Sequence, residues 1–236
     1  MKKLVLSAAA FVLLGALAAQ AAPRKESPRP RMTRQPVTTT MTEHKGFFAI
    51  VPKLGFVVPT GNYGDVSNSG FRFQGAAEYY VRNDWTIGVS TSFAQTNMND
   101  DAKLAAQTSL QTQTSNPSAT ISSWKARTMQ YSAYGRHLFA TSSPKISPYL
   151  SAGMGLYNVK TTASGTGATQ AEVDQNTGSG QGQTNFGINM GGGMLFNVTP
   201  TVGVMAGMTY HNAFSDPATN YFVFNGGLSF CFNTGR

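Results

Sequence analysis

Between Asn185 and Tyr210 the chain alternates so regularly that one kind of secondary structure fits it. Phe186, Ile188, Met190, Gly192, Met194, Phe196 and Val198 share one parity, and Gly187, Asn189, Gly191, Gly193, Leu195 and Asn197 share the other. After Thr199-Pro200-Thr201 the pattern resumes, with Val202, Val204, Ala206, Met208 and Tyr210 set against Gly203, Met205, Gly207, Thr209 and His211. Two period-two runs joined by a few turn residues predict an antiparallel hairpin. One face is apolar with aromatics near its ends; the other is small or polar. In a soluble barrel the apolar face turns inward. Here amides and small residues would have to fill the interior, which suits a strand lying between lipid and a packed lumen.

Similar runs recur along the chain. Strands are expected over 47–58, 70–81, 85–95, 124–139, 148–159, 185–198, 202–210 and 220–233. Together they predict an all-β fold, an eight-stranded antiparallel up-and-down transmembrane β-barrel over 46–236. The connections after the second, fourth and sixth strands are short, and those after the first, third, fifth and seventh are mostly longer. Short turns at one end and long loops at the other are the outer-membrane pattern. Lipid offers the backbone no partners, so only a closed barrel pairs every strand N–H and C=O. Pro52 has no N–H to give, and predicts a bulge or local edge in the first strand. Within the polar stretch 96–123, Asp100 to Leu110 could form a short helix, while 60–68 and 161–183 read as loops.

Charged residues make up 12% of the chain, against roughly 25% in ordinary soluble domains. The formal charge of +8 could suggest nucleic acid, but its distribution excludes that. Lys2 and Lys3 precede an apolar run ending at Ala19-Gln20-Ala21, the pattern of a secretory signal peptide over 1–21. Arg24, Lys25, Arg29, Arg31 and Arg34 crowd among prolines in 22–45, which predicts a disordered basic periplasmic extension. No basic face with interleaved aromatics remains in the strand region. The leader would put both termini in the periplasm and the long loops outside. The basic extension is suited to contact with the cell wall or anionic headgroups. Cys231 is the single cysteine, which leaves no internal disulfide.

Three segments resemble the small outer-membrane β-barrel domains, a group that includes the OmpA-type transmembrane domain and the opacity-type surface proteins. They are Val57-Val58-Pro59-Thr60-Gly61-Asn62-Tyr63-Gly64, Ser132-Ala133-Tyr134-Gly135-Arg136, and Pro148-Tyr149-Leu150-Ser151-Ala152-Gly153-Met154-Gly155-Leu156-Tyr157. The resemblance covers about Gly46 to the end. It implies insertion by the barrel-assembly machinery into the outer membrane of a Gram-negative envelope, with outer-membrane lipid around the strands. The family usually ends on an aromatic residue; here Phe232 is followed by Asn233-Thr234-Gly235-Arg236.

Parity assigns Lys53, Arg72, Glu78, Arg82 and Arg136 to the lumen as an ion-pair network. An eight-stranded barrel is just wide enough for side chains to fill it, so a carboxylate there is tolerable only if paired. Trp85, Trp124, Tyr79, Tyr210, Tyr221, Phe222 and Phe232 sit near strand ends and are expected to anchor the chain at the interfaces. Some members of this group modify lipid A with Ser and His near the external rim. His137 has outward parity, and His211 has Asn212 and Ser215 nearby but no acidic partner other than Asp216, so no enzyme is expected. Three histidines and one cysteine show no ligand spacing, and neither metal nor cofactor is expected. The role expected is structural and interactive, with the lumen plugged by charged side chains. The alternatives are a narrow pore for small solutes or ions, then a lipid-modifying enzyme, with a soluble lipocalin-like binder as the competing fold.

Overall fold

The computed structural model describes residues 45–233 except Ser142, Pro144, Gln181, Asp216 and Pro217. The expected leader, the basic extension up to residue 44 and the last three residues lie outside them. Alternation produces the strands expected: β1 Phe47–Thr60, β2 Ser67–Tyr80, β3 Trp85–Met98, β4 Thr120–Leu138, β5 Ile146–Thr166, β6 Gly182–Asn197, β7 Val202–Ala213 and β8 Thr219–Asn233. Each pairs antiparallel with its neighbour in sequence, and β1 pairs with β8, closing the ring. No strand in this ring is left with an open edge.

The apolar parity faces outward. Leu54 is 68% exposed, Val89 61% and Met190 57%; water would not tolerate such a belt on every strand, and lipid does. The small parity faces inward for a reason the hairpin alone does not reveal. β5 sends Tyr149 and Tyr157 across the interior toward β6 and β7. A Cβ on Gly207 would lie 2.5 Å from the Tyr149 hydroxyl, and one on Gly187 would lie 2.8 Å from Cε2 of Tyr157. The glycines of the hairpin are the space these rings occupy.

Pro52 makes no bulge. Its register with β2 is unbroken at Pro52↔Gly75. Pairing with β8 skips Val51 and Pro52 and resumes at Lys53↔Gly227 in the same register as Ile50↔Phe230. The missing N–H therefore costs a local gap in one ladder, and the strand keeps its parity.

The long connections are folded. α1 (Gly61–Val66) follows β1, α2 (Asp100–Thr114) follows β3, and α3 (Gln170–Thr177) follows β5. α2 extends one turn beyond the expected Leu110. Asn99 caps it, accepting from the Ala102 N–H at 2.8 Å, and Asp100 and Asp101 in the first turn complement its dipole. α3 stands where a loop was expected. It opens on a capping box, Thr169 with Glu172, and closes on Gly178 at φ 62°.

β4 and β5 have 19 and 21 residues, about twice the 9–11 a tilted crossing needs. Their projecting ends carry a second core made of Ala106, Leu110, Ala119, Ile121 and Val173, with Trp124 packed against it. The two helices are also joined by Asn176, which donates to Gln113 Oε1 at 2.5 Å. Asn116 donates to the Gly167 carbonyl at 2.7 Å. The result is a loop lobe with its own apolar interior above the barrel.

Leu110 is fully buried in that lobe, so Leu110→Ala should remove about 2–5 kcal/mol from the lobe and leave the barrel standing. Limited proteolysis should then cut within 100–119 or 167–180, while the heat-dependent gel shift of the folded barrel stays as in the wild type.

The exposed Glu172 carboxyl is held below its ordinary value of 4.5 by the Thr169 backbone N–H and hydroxyl that bond to it. A depressed carboxyl stabilises the fold above its ordinary range and loses that contribution as pH falls through the depressed value. Backbone chemical shifts of α3 should therefore drift toward coil below pH 4.5. The barrel strands should not follow, and Glu172→Ala should abolish the dependence; an α3 indifferent to pH in the wild type would refute the capping role.

Candidate functional site

The lumen is stacked in layers between the turn end of the barrel and its loop end. At the turn end Ala49, Val51, Tyr80, Tyr149, Leu195 and Met205 form an apolar plug, with Cys231 buried among them. Above it lies the one ion pair of the interior among the described residues. Arg136 Nη2 donates to Glu78 Oε1, and the Tyr134 hydroxyl donates to the same oxygen. Glu78 is on β2 and Tyr134 on β4, so both must reach across β3. Gly88 lies between them in register, and a Cβ there would come within 3.0 Å of the tyrosine ring and 3.1 Å of Glu78 Cγ. The guanidinium of Arg136 lies 4.9 Å from the Tyr149 ring centroid, a cation–π contact with the plug beneath.

A second polar layer centres on Arg72, which is 3% exposed. Its Nη1 bonds His211 Nε2 at 2.6 Å, and its Nη2 donates to Gln130 Oε1 at 2.5 Å. Because the guanidinium can only donate, Nε2 accepts, and the neutral imidazole donates from Nδ1 to the Tyr157 oxygen 3.1 Å away. Gln130 Nε2 donates to that same oxygen at 3.0 Å. His211 stacks on Tyr221, with ring centroids 4.9 Å apart and planes 16° from parallel. Over this layer Val57, Ala94, Tyr157, Ala213, Tyr221 and Val223 form the loop-end seal. Tyr63 of α1 packs on it, its hydroxyl 2.6 Å from Thr96 Oγ1.

Between the two polar layers is a cavity of about 30 Å³ bordered by Lys53, Arg72, Ser90, Gln130, Ser132 and Arg136, among other side chains. It has room for one or two waters. Lys53 is buried, and among the described residues no carboxylate comes within 4.0 Å of its ammonium group.

The five residues expected in the lumen do not all lie there. Lys53, Arg72, Glu78 and Arg136 point inward, but Arg82 does not. It lies in the tight turn after β2, its side chain 71% exposed, with Nε 3.2 Å from Asp84 Oδ1. Parity could not place it, because the strand has already ended at Tyr80.

The interface aromatics also divide. Tyr79, Trp85 and Phe232 are exposed on the outer face, where Trp85 packs at a tilt against His137, ring centroids 4.8 Å apart. Tyr210 and Phe222 meet at 5.0 Å across β7 and β8. Tyr221 is buried against His211, and Trp124 packs under the loop helices. Both have inward parity, so nearness to a strand end misplaced them. His211, read as a residue of the external rim, is buried with both ring nitrogens engaged.

Glu78→Gln leaves Arg136 buried without a counter-charge, which costs on the order of 3–5 kcal/mol when one member of a buried pair is removed. Urea unfolding of the detergent-folded protein should show that loss. Arg136→Met combined with Glu78→Gln removes both charges and should recover much of it. An unchanged midpoint in the single variant would take Glu78 out of the network.

The family model for the outer membrane protein beta-barrel domain matches residues 9–232. Neisserial surface protein A shares 20% sequence identity over 80% of this chain and 98% of its own, with a TM-score of 0.50. OprG of Pseudomonas aeruginosa shares 10% over 83% of this chain and all of its own, also at a TM-score of 0.50. No curated protein sequence matches. These likenesses carry the fold and nothing finer. The ring of strands, its lipid-facing apolar belt and the match across nearly the whole chain converge, and the chain belongs to the outer membrane protein beta-barrel domain family.

Proposed function

We propose that this protein is a sealed outer-membrane scaffold, which stiffens the envelope and displays the loop lobe outside the cell. The observation that carries this reading is the layered lumen. An apolar plug, a buried ion pair, the Arg72–His211 layer and an apolar seal follow one another, with a cavity of only about 30 Å³ among them. A passive pore needs a continuous wet path; this interior is side chains. The lobe supports the second half of the reading. A buried core, two capped helices and cross-links between them are suited to presenting a fixed surface to a partner.

With the expected leader over 1–21, both termini are periplasmic, and the turn end of the barrel faces the periplasm. The basic extension over 22–45 then lies beneath the inner leaflet, where it meets anionic headgroups or the cell wall. The barrel-assembly machinery inserts the strands, and outer-membrane lipid covers the apolar belt. Nucleic acid has no part in this reading, and neither does catalysis, since His211 is engaged with Arg72 and Tyr157 inside the barrel.

Single-channel recording tests the proposal directly. The mature protein, folded in detergent and shown to be folded by its heat-dependent gel mobility, should give no conductance steps in a planar bilayer. Reproducible steps that change in Glu78→Gln would replace the scaffold with a narrow pore gated at the Glu78–Arg136 pair.

A further inference from the structure

The charges inside the barrel do not balance. Among the described residues, Lys53, Arg72 and Arg136 are buried in the lumen against a single carboxylate, Glu78. Arg136 takes one oxygen of that carboxylate, Oε1, and Glu78 Oε2 is buried without a hydrogen-bond partner. Arg72 is left with two neutral acceptors, Gln130 and His211, and its Nε is buried without a hydrogen-bond partner. Lys53 and Arg72 project from neighbouring positions on β1 and β2, where Lys53 pairs with Gln74 and Gly55 with Arg72. Both border the same cavity. Uncompensated cations in a low-dielectric interior are expensive, and a protein either neutralises them or supplies a counter-ion.

The cavity walls are suited to a counter-ion. Ser90 and Ser132 both border it, and their hydroxyl oxygens lie 2.9 Å apart. Only one of the two can donate in that bond, so the other keeps a hydrogen for a different acceptor. Gln130 Oε1, one acceptor on the wall, is already taken up by Arg72 Nη2 and Ser92, and Asn189 Nδ2 on the same wall is a buried donor without a partner. The lining therefore carries three cationic side chains and, among the described residues, no carboxylate. A volume of about 30 Å³ has room for a body the size of one or two waters. That suits a halide.

We propose that the lumen holds a small monovalent inorganic anion, chloride in a cell, between Lys53 and Arg72, and that this ion is part of the folded barrel. It binds as the barrel closes, because both seals shut the site once the fold is complete. The ion forms no covalent bond and takes part in no reaction. It lets the lumen carry three cations and one carboxylate without a fourth side chain that the narrow barrel has no room for.

The test folds the full mature chain from urea into detergent in sodium chloride, sodium bromide or sodium gluconate at one ionic strength. The anion is then present when the site closes. Wild-type protein should show a saturable rise of the unfolding midpoint with chloride or bromide over gluconate. The folded-to-unfolded ratio should gain roughly tenfold when the halide reaches about ten times its Kd. Lys53→Met should be more stable than wild type in gluconate and indifferent to halide, while Lys125→Met, half-buried in the projecting part of β4 away from the cavity, should keep the response. Crystals grown in bromide should show an anomalous peak between Lys53 and Arg72. That peak stands as an independent readout should Lys53→Met fail to fold. Equal wild-type midpoints in chloride and gluconate, or bromide peaks confined to the surface, would overturn the proposal and leave a water-filled void beside a neutral Lys53.

Discussion

The pairing of β1 with β8 is the constraint on which the other features depend. In hydrocarbon an unpaired backbone N–H or C=O has no solvent partner, and each one left open costs several kcal/mol. Closure removes the edge, but it also fixes the circumference, and a ring of eight strands encloses only enough room for side chains. The apolar residues have to face lipid, so the interior is assembled from the remaining parity. That parity is glycine, serine, tyrosine, amides and a few charges, with the apolar residues of the plug and the seal at its two ends. The lumen is polar by the logic of closure, whatever the protein goes on to do.

A polar core of this kind holds together differently from an apolar one. Apolar packing tolerates approximate fits, whereas a buried guanidinium or carboxylate requires specific partners. Two devices meet this demand. Gly88 opens a gap in β3 that lets Glu78 and Tyr134 approach each other from the flanking strands. Glycines in β6 and β7 admit the rings of Tyr149 and Tyr157, which place an aromatic face under Arg136 and a hydroxyl beside His211. Glycine here sets the range of long side chains. The apolar layers at either end exclude water, and inside them each ionic contact is stronger than it would be at a surface.

How far the sequence was legible follows from the same physics. Period-two alternation is imposed on every strand by lipid on one side and lumen on the other, so the strand count, pairing order and facing could be read directly. Within strands, Lys53, Arg72, Glu78 and Arg136 are buried on the inward parity. Arg82 was misplaced by carrying parity past the strand end at Tyr80, and Tyr221 and Trp124 by reading closeness to a strand end in place of parity. The partnership of Arg72 with His211 was not legible, because it joins residues 139 positions apart across the ring. α3 could have been found, since Thr169-Gln170-Ala171-Glu172 is a capping box in plain sequence. It was obscured by a surrounding composition of Gly, Thr and Gln that favours loops.

The two cores answer to different solvents, and this separates their fates. The barrel is held by lipid outside and by one ion pair and a hydrogen-bond network inside, while the lobe is held by a small apolar cluster of Leu110, Val173 and their neighbours under water. The projecting ends of β4 and β5 are shared by both, so the lobe is carried rigidly, yet its own stability draws on few residues. Local unfolding follows such boundaries. A lobe that can open or change sequence without breaking a lumen contact leaves the barrel's closure untouched. The ladder of β4 and β5 continues through that boundary unbroken except at Ile121/Ser123, so the lobe is braced by the same two strands that place Arg136 and Tyr149 in the lumen.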